Sequence, residues 1–565
     1  MMATTESNQR SVWPTLLLIA IITLLGGVVR WLIAATDPMW LDELHTSWVV
    51  AGELGDVYQR AQIGNQTPLF FWLTWAAAEI FGETEISLRL ISLIAGTATI
   101  FAAGWIVFRW TGSTIAAATT SILIAFDAWF HTQFIFHATE ARPYALVQFL
   151  SVVQVALFWR LFFGQPEPVD QNSDSQSSQL DDQAKTVQPK SATRLRWLLL
   201  PLVTALLFYA HYTSAWLFAT QGIFVAILLL LDAAFRRRNL KKLLVVTGTT
   251  ALFLIPALPQ LSQLLGRRSN WASVSSSREL LLQQALPFGC WMLAPIVALA
   301  IAMLIHPPVP KSAATKSAAK SNQIKLICFV FLWAILPTVF AVALDRFQFA
   351  PIALVRYTLV GAVAMPVFAG MVIGIGSHPR MRTVLSIGLI ALTLILSPVT
   401  SGKFLSSGFD IAELPRLRWE NWGTAIDEIN ANQAKKSQPV FLASNLIEDV
   451  EAFEESDPRF QEYLRFPVNG IHRIENQKSA NDANQSNGRK IIAIPTLLVE
   501  HLRQSDIEKI CESGGAWLIV RGTRELVIEI EDEIVNKLAA LHPEAPQLKT
   551  TRLGPLSDVY LISFD

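Results

Sequence analysis

The amino-acid sequence predicts a polytopic α-helical membrane protein of about eleven transmembrane helices with a C-terminal α/β domain, and three observations carry that expectation. Charged side chains make up 16% of the 565 residues and hydrophobic ones 52%, whereas soluble globular chains carry roughly 25% charged residues. Mean hydropathy is +0.39, and the apolar residues fall in runs near the ~20 residues that a helix needs to cross a bilayer. The dense Lys/Arg clusters between those runs all fall on one side of the membrane, as the positive-inside rule requires. The 18 Trp residues fit the same reading, because Trp favours the membrane–water interface. A formal net charge of zero gives no footing for a nucleic-acid partner.

The apolar runs lie near residues 13–34, 86–108, 113–130, 143–164, 197–211, 213–234, 243–264, 283–305, 325–344, 357–376 and 384–400. No Ala-x-Ala-type site follows a short apolar core in the first run, so it reads as an uncleaved signal anchor. Residues 197–232 allow either two short spans divided at His211 or one long helix with a re-entrant piece. With the N-terminus cytoplasmic, the inside loops hold Arg109, the basic stretch 185–196, Arg236 to Arg238 with Lys241 and Lys242, then Lys311, Lys316, Lys320 and Lys325, and lastly Arg380 and Arg382. The polar stretches 165–193 and 311–321 read as disordered cytoplasmic linkers. This transmembrane domain covers residues 1–400.

Residues 401–565 read as a soluble extracytoplasmic domain. Apolar runs at 439–443, 491–494, 516–520 and 559–564 predict strands, and the patterns 419–432 and 524–541 predict helices between them. No G-x-G-x-x-G or P-loop supports nucleotide binding there. Cys290, Cys328 and Cys511 stand far apart, in no metal or redox spacing.

Three groups of residues could carry chemistry. The first outside loop opens Asp37-Pro-Met-Trp-Leu-Asp42-Glu43-Leu-His45-Thr46. A carboxylate there is ionised at neutral pH and can act as a base or a metal ligand; it can equally be a solvated loop acid, with Asp42 capping the segment that follows. The second group is His137-Ala-Thr-Glu140-Ala-Arg142-Pro143-Tyr144, where Pro143 suits the first turn of a helix and leaves Glu140 and Arg142 in a tight outside turn. Asp127 lies in the span before it. The third group is the cations on the outer side: Arg267, Arg268, Arg278, Arg346 and Arg356. Arg captures phosphate through a planar fork, although Arg278 and Arg346 equally suit snorkelling to headgroups. His211-Tyr212 at the outer hinge adds to the same side.

In order and spacing these residues resemble the C-type glycosyltransferase (GT-C) superfamily, in the branch of protein O-mannosyltransferases, lipid A aminoarabinose transferases and lipopolysaccharide galacturonosyl transferases. The resemblance covers roughly residues 12–376. Asp42-Glu43 matches the family's Asp-Glu; Pro68-Leu-Phe-Phe-Trp, Phe81-Gly82 and Arg89-Leu-Ile-Ser92 look like its Pro-Leu-Tyr element, its Gly and its Arg-x-x-Ser. Glu140-Ala-Arg142-Pro-Tyr144 is similar to its Glu-Ala-Arg-Pro-Tyr turn, and His211-Tyr212-Thr213 and Arg356-Tyr357 match weaker patterns. Asn65-Gln66-Thr67-Pro68 departs from the His-Pro-Pro of many members, which puts a histidine role there in doubt.

The resemblance implies a membrane glycosyltransferase of the bacterial inner (plasma) membrane, moving a sugar from a polyprenyl-phosphate donor to a glycan, lipid or protein acceptor at the extracytoplasmic face. Asp42 would deprotonate the acceptor, with inversion at the anomeric carbon, and Glu43 would position the acceptor or support the loop. Arg142, Arg268, Arg356 and Arg267 would hold the donor phosphate; Glu140, Tyr144, His45 and His211 would line the cavity. Membrane lipids are the surroundings, and no nucleic acid is a partner. The resemblance names no fixed cofactor, but some relatives bind a divalent metal, for which His45, Glu43 and His211 could serve here, although their spacing does not compel it. Two other readings use the same features: a transporter or flippase for lipid-linked glycans, which would call for internal repeats that the chain does not show, and an assembly subunit.

Overall fold

A computed structural model describes residues 12–126, 134–164, 190–266, 276–305, 317–375, 379–397, 399, 407, 415–432, 435–446, 458–475, 489–494, 504–541, 548–553 and 557–564. Among them, seven helices are long and apolar enough to cross a membrane: Trp13–Thr36, Glu85–Thr111, Tyr144–Phe163, Tyr212–Leu231, Ala233–Gly266, Ser277–Ala300 and Ser321–Arg346. The other predicted runs are shorter helices, at Thr114–Ala125, Trp197–Ala210, Leu359–Ile375 and Pro379–Leu396. The chain is a polytopic integral membrane protein. The break at His211 is real: its backbone is extended (φ −164°), and its ring accepts the Thr213 N–H that opens the next helical turn.

Two of the expected linkers are partly helical. Residues 190–193 lie in Lys190–Ala210 and 317–321 in Ser317–Arg346. Ala, Ser and Lys side chains tolerate the helix once an apolar span follows and fixes its direction.

Small residues let the spans approach closely. A Cβ on Gly104 would run into Ser121, and one on Gly370 into Thr120, which is how membrane helices gain packing without a hydrophobic driving force. Polar groups in the spans satisfy one another. Gln154 and Gln221 exchange amide hydrogen bonds at 3.0 and 2.6 Å. Arg30, fully buried, donates to Ile124 O and Ala125 O at 2.8 and 3.0 Å, capping carbonyls at the end of Thr114–Ala125 that lack an intrahelical partner.

The loop after the first span is itself helical: Leu41–Val50, Leu54–Ile63 and Pro68–Phe81. Reciprocal Glu53–Asp56 capping starts the second and Pro68 the third. Gly82, at φ 83°, ends the third in a conformation that suits glycine.

The C-terminal residues form a five-stranded sheet of order β2-β1-β3-β5-β4, from β1 (Val440–Ala443), β2 (Ile491–Ala493), β3 (Ala516–Arg521), β4 (Lys549–Arg552) and β5 (Val559–Phe564). β1 runs parallel to β2 and β3, and β5 antiparallel to β3 and β4. Strand alternation divides the core. Phe441, Leu518, Val520 and Ile562 face the helices Gln504–Glu512 and Arg524–Leu541. Leu442, Ile519 and Leu561 join Trp422 and Ile426 in a core continuous with Trp48 and Phe71 of the first loop. The sheet is therefore packed onto the loop that carries Asp42 and Glu43.

Candidate active site

Leu41–Val50 begins directly after Trp40, and its first free N–H is taken from outside the loop: Leu41 N donates to Glu420 Oε2 at 2.8 Å. Asp42 is thus not the cap. It sits with Glu43 in the first turn, where the positive end of a helix favours carboxylates. The two side chains part company there.

Asp42 lines an open cavity with His45, Arg142, Tyr144 and Arg356. Arg356 Nη1 donates to Asp42 Oδ2 at 3.2 Å, and Arg142 Nη1 to the Asp42 carbonyl at 3.3 Å. Burial pushes the Asp42 carboxyl up, but Arg142 and Arg356 outweigh it and hold the group below its ordinary value of 3.8. His45 is pushed down to about 3, by burial first and by Arg142 second. Its ring is caged by Trp48, Phe71, Tyr463 and Phe466, with centroids 5.3 to 6.0 Å apart. A depressed carboxyl loses its base form only as pH falls below the ordinary Asp range, and a neutral His45 adds no titration near 6.5. Activity is therefore expected to keep a flat kcat/KM profile from about pH 5 to about pH 7.5. Asp37, pushed up to about 6 by burial, titrates in that window but lies outside the cavity lining, so a free-enzyme limb that persists in Asp37→Asn would contradict the assignment of both groups.

Glu43 points the other way and is 0% exposed. Arg89 grips both its oxygens, Nε to Oε1 at 2.7 Å and Nη2 to Oε2 at 2.8 Å. Ala141 N donates to Oε1 at 2.8 Å, and Arg418 Nε lies 3.5 Å from Oε2. Arg89 also donates to the carbonyls of Ala34, Asp37 and Pro38. Ser92, one helical turn on, donates to the Arg142 carbonyl at 2.8 Å. The Arg-x-x-Ser element thus ties the Asp-Glu loop to the turn that carries Arg142. Of the two roles expected for Glu43, the geometry matches support of the loop, because its acceptor sites are occupied away from the cavity.

The other expected residues separate as follows. Glu140 pairs with His137 Nδ1 at 2.5 Å and, like Glu43, does not line the cavity. His211 packs behind the cavity wall, its ring 5.6 Å from Tyr144 and 5.7 Å from Tyr357, with Nδ1 on the Thr213 hydroxyl. Arg278 and Arg346 are exposed at helix ends. Arg267, Arg268 and Asp127 lie outside the described residues. His45, Glu43 and His211 are not brought together, and among the described residues no three His, Cys, Asp or Glu side chains converge on a metal position. The chemistry derived below uses none.

Sequence reasoning missed the C-terminal contribution. Arg418, 1% exposed, donates to Asp37 Oδ2 at 3.2 Å and to Phe136 O at 2.9 Å. Tyr463, Phe466, Asn445, Leu446 and Arg521 complete the cavity lining. Gly470 presses on Ser47, whose hydroxyl accepts the Ile471 N–H at 2.6 Å. None of these residues carries a local motif.

No protein-family model matches the chain, and no curated protein matches its sequence. Solved structures do match. ArnT from Cupriavidus metallidurans bound to undecaprenyl phosphate superposes with a TM-score of 0.50 at 12% identity, over 98% of each chain. The chain shares its fold with that ArnT. The same ArnT in the apo state matches at TM-score 0.36 and 11% identity over 98% of each chain. The Archaeoglobus fulgidus oligosaccharyltransferase in complex with Zn and sulfate matches at 0.43 and 12%, over 89% of this chain and 68% of that one. Residues of the helical part and of the C-terminal sheet line one cavity, and Asp42 stands in it.

Proposed function

We propose that this protein is a membrane glycosyltransferase that moves a sugar from a polyprenyl-phosphate donor to an acceptor hydroxyl by inverting displacement. The observation that carries the reading is one ionised carboxylate, Asp42, set against two guanidinium groups, Arg142 and Arg356, in a cavity beside the membrane helices. The fold, shared with an ArnT that binds undecaprenyl phosphate, supports the same donor class.

The chemistry needs little else. As the acceptor oxygen bonds to the anomeric carbon, its proton passes to Asp42. The bond from that carbon to the phosphate oxygen breaks, and the phosphate leaves with both electrons. A phosphate needs no protonation to depart, so cations at the leaving oxygen replace the second carboxylate that a glycosidase uses. Arg142 and Arg356 stabilise that growing charge. Arg356→Ala is therefore expected to lower kcat and kcat/KM together by roughly 10–100-fold. Arg356→Lys rescues only in part, because a point charge lacks the planar fork. The assay offers purified enzyme radiolabelled polyprenyl-phosphate sugars and, separately, nucleotide sugars. Transfer from a nucleotide sugar alone, with Arg356→Ala fully active, overturns the donor class.

The cavity and the C-terminal sheet face the extracytoplasmic side on this reading, since the basic loops belong inside. In a cysteine-free background, single cysteines at exposed Arg237 and Asn536 are expected to react with an impermeant thiol reagent in spheroplasts only at 536. Labelling at 237 alone reverses the orientation.

A further inference from the structure

Parallel α/β sheets bind ligands in the crevice outside the carboxyl ends of their strands, at the point where connections leave in opposite directions. In this sheet β1 lies between β2 and β3 and runs parallel to both, so the C-terminal ends of β1 and β3 mark that point. Ala443 of β1 pairs with Val520 of β3, which brings Asn445, two residues past β1, to Arg521, the last residue of β3. Both residues line the Asp42 cavity.

The pair is built to stay there. Arg521 Nε donates to Glu420 Oε1 at 2.8 Å, and its Nη1 lies 3.5 Å from the Asn445 carbonyl. Glu420 is fixed in turn by the Leu41 N–H and the Trp422 indole N–H, both 2.8 Å from its Oε2. One carboxylate therefore joins Arg521 to the N-terminus of the helix that carries Asp42. Asn445 holds a left-handed backbone at φ 52°, and its Oδ1 is buried with no hydrogen-bond partner among the described residues. A buried amide oxygen left without a donor costs free energy unless a ligand supplies one.

The free edge of Arg521 points to the ligand. Arg142, Arg356 and Arg521 line the cavity with Asp42, and Glu420 takes Arg521 through Nε, which leaves its Nη2 for a ligand. Arg142 and Arg356 donate to Asp42. Arg521 comes from the sheet and remains 27% exposed to the cavity.

We propose that Arg521 and Asn445 form an acceptor subsite, distinct from the donor phosphate position, in which Arg521 takes a phosphate or carboxylate borne by the acceptor next to its reacting hydroxyl. This rests on the glycosyltransferase reading above and names the acceptor class for it. Arg521 is then a specificity residue: it holds the acceptor and leaves the departing phosphate to Arg142 and Arg356, while Asn445 accepts a hydroxyl or amide hydrogen from the same molecule.

The test is a binding measurement on purified full-length protein saturated with undecaprenyl phosphate. It is titrated with two synthetic glycolipids that differ only by one phosphate monoester. The wild type is expected to bind the phosphorylated lipid with undecaprenyl phosphate still in place, roughly 10–100-fold more tightly than the neutral one. Arg521→Gln is expected to bind the two lipids alike while keeping its affinity for undecaprenyl phosphate. Mutual displacement of the two phosphates, or loss of undecaprenyl phosphate binding in Arg521→Gln, assigns Arg521 to the donor and overturns the proposal. So does an equal loss of both glycolipids. Should Arg521→Gln fail to fold, Asn445→Gly gives a second test, since glycine accepts the left-handed backbone and removes the orphaned oxygen; it is expected to lower affinity for both lipids while keeping the preference for the phosphorylated one, and unchanged affinity for both overturns the subsite. Because the readout is binding, it separates the two readings. A wild type that binds both lipids and moves no sugar refutes the transferase, and one that moves sugar without preferring the anionic acceptor refutes the subsite.

Discussion

Asp42→Asn is expected to lower turnover by about 10²–10⁴-fold, the usual worth of a positioned general base, while the purified protein keeps its yield and melting temperature. The side chain is isosteric, and its carbonyl oxygen can still accept the Arg356 hydrogen bond. What disappears is the site that takes the acceptor proton. Asp42 and Arg356 are 28% and 23% exposed, so their ion pair is partly screened by solvent and its loss should cost no more than about 1 kcal/mol. The effect then falls on kcat with melting unchanged. Single-turnover transfer from a preloaded polyprenyl-phosphate sugar is the measurement that isolates the chemical step. Near-normal single-turnover rates in the variant remove Asp42 from the mechanism.

Much of this site was legible in the sequence, and the reason is local chemistry. Asp42, Arg142, Tyr144 and Arg356 each lie at the end of an apolar run, where a charge or an aromatic stands out against its neighbours. The membrane helices were legible for the same reason, and so were four strands, because β1, β2, β3 and β5 are apolar. β4 was not: its Lys-Thr-Thr-Arg sequence makes a mostly exposed edge strand, and an edge needs no apolar signal. Arg418, Glu420 and Arg521 were invisible for a different cause. Their partners Asp37, Leu41 and Glu43 are more than 370 residues away or reached through one another, and nothing in a stretch such as Leu417-Arg418-Trp419-Glu420 says which distant backbone it will cap. The two roles open to Glu43 could not be told apart in the sequence for that reason as well. Adjacent carboxylates look equivalent in a sequence, yet successive side chains on a helix leave it about 100° apart, so only one of the two can face the cavity.

That division gives the second large effect. Glu43→Ala is expected to destabilise the protein by about 3–5 kcal/mol, because it takes from buried Arg89 its bidentate anion and from Arg418 one of two carboxylates. Arg89 would keep its three backbone carbonyls but lose the acceptor of two charge-assisted bonds, and Arg418 would retain Asp37 alone as its carboxylate among the contacts above. The Ala141 N–H would also lose its partner, loosening the turn that positions Arg142. Glu43→Gln, which keeps one acceptor oxygen and no charge, should fall between. Pairing Glu43→Leu with Arg89→Met should cost less than the two single changes added together, since removing both partners of a buried pair leaves fewer orphaned charges. Thermal unfolding in detergent, followed with kcat per folded molecule, is the measurement that decides. The expected pattern is a lower melting temperature with the acceptor KM of the surviving fraction little changed. An unaltered melting temperature with a raised acceptor KM would return Glu43 to the acceptor-binding role and break the division of labour between the two adjacent carboxylates.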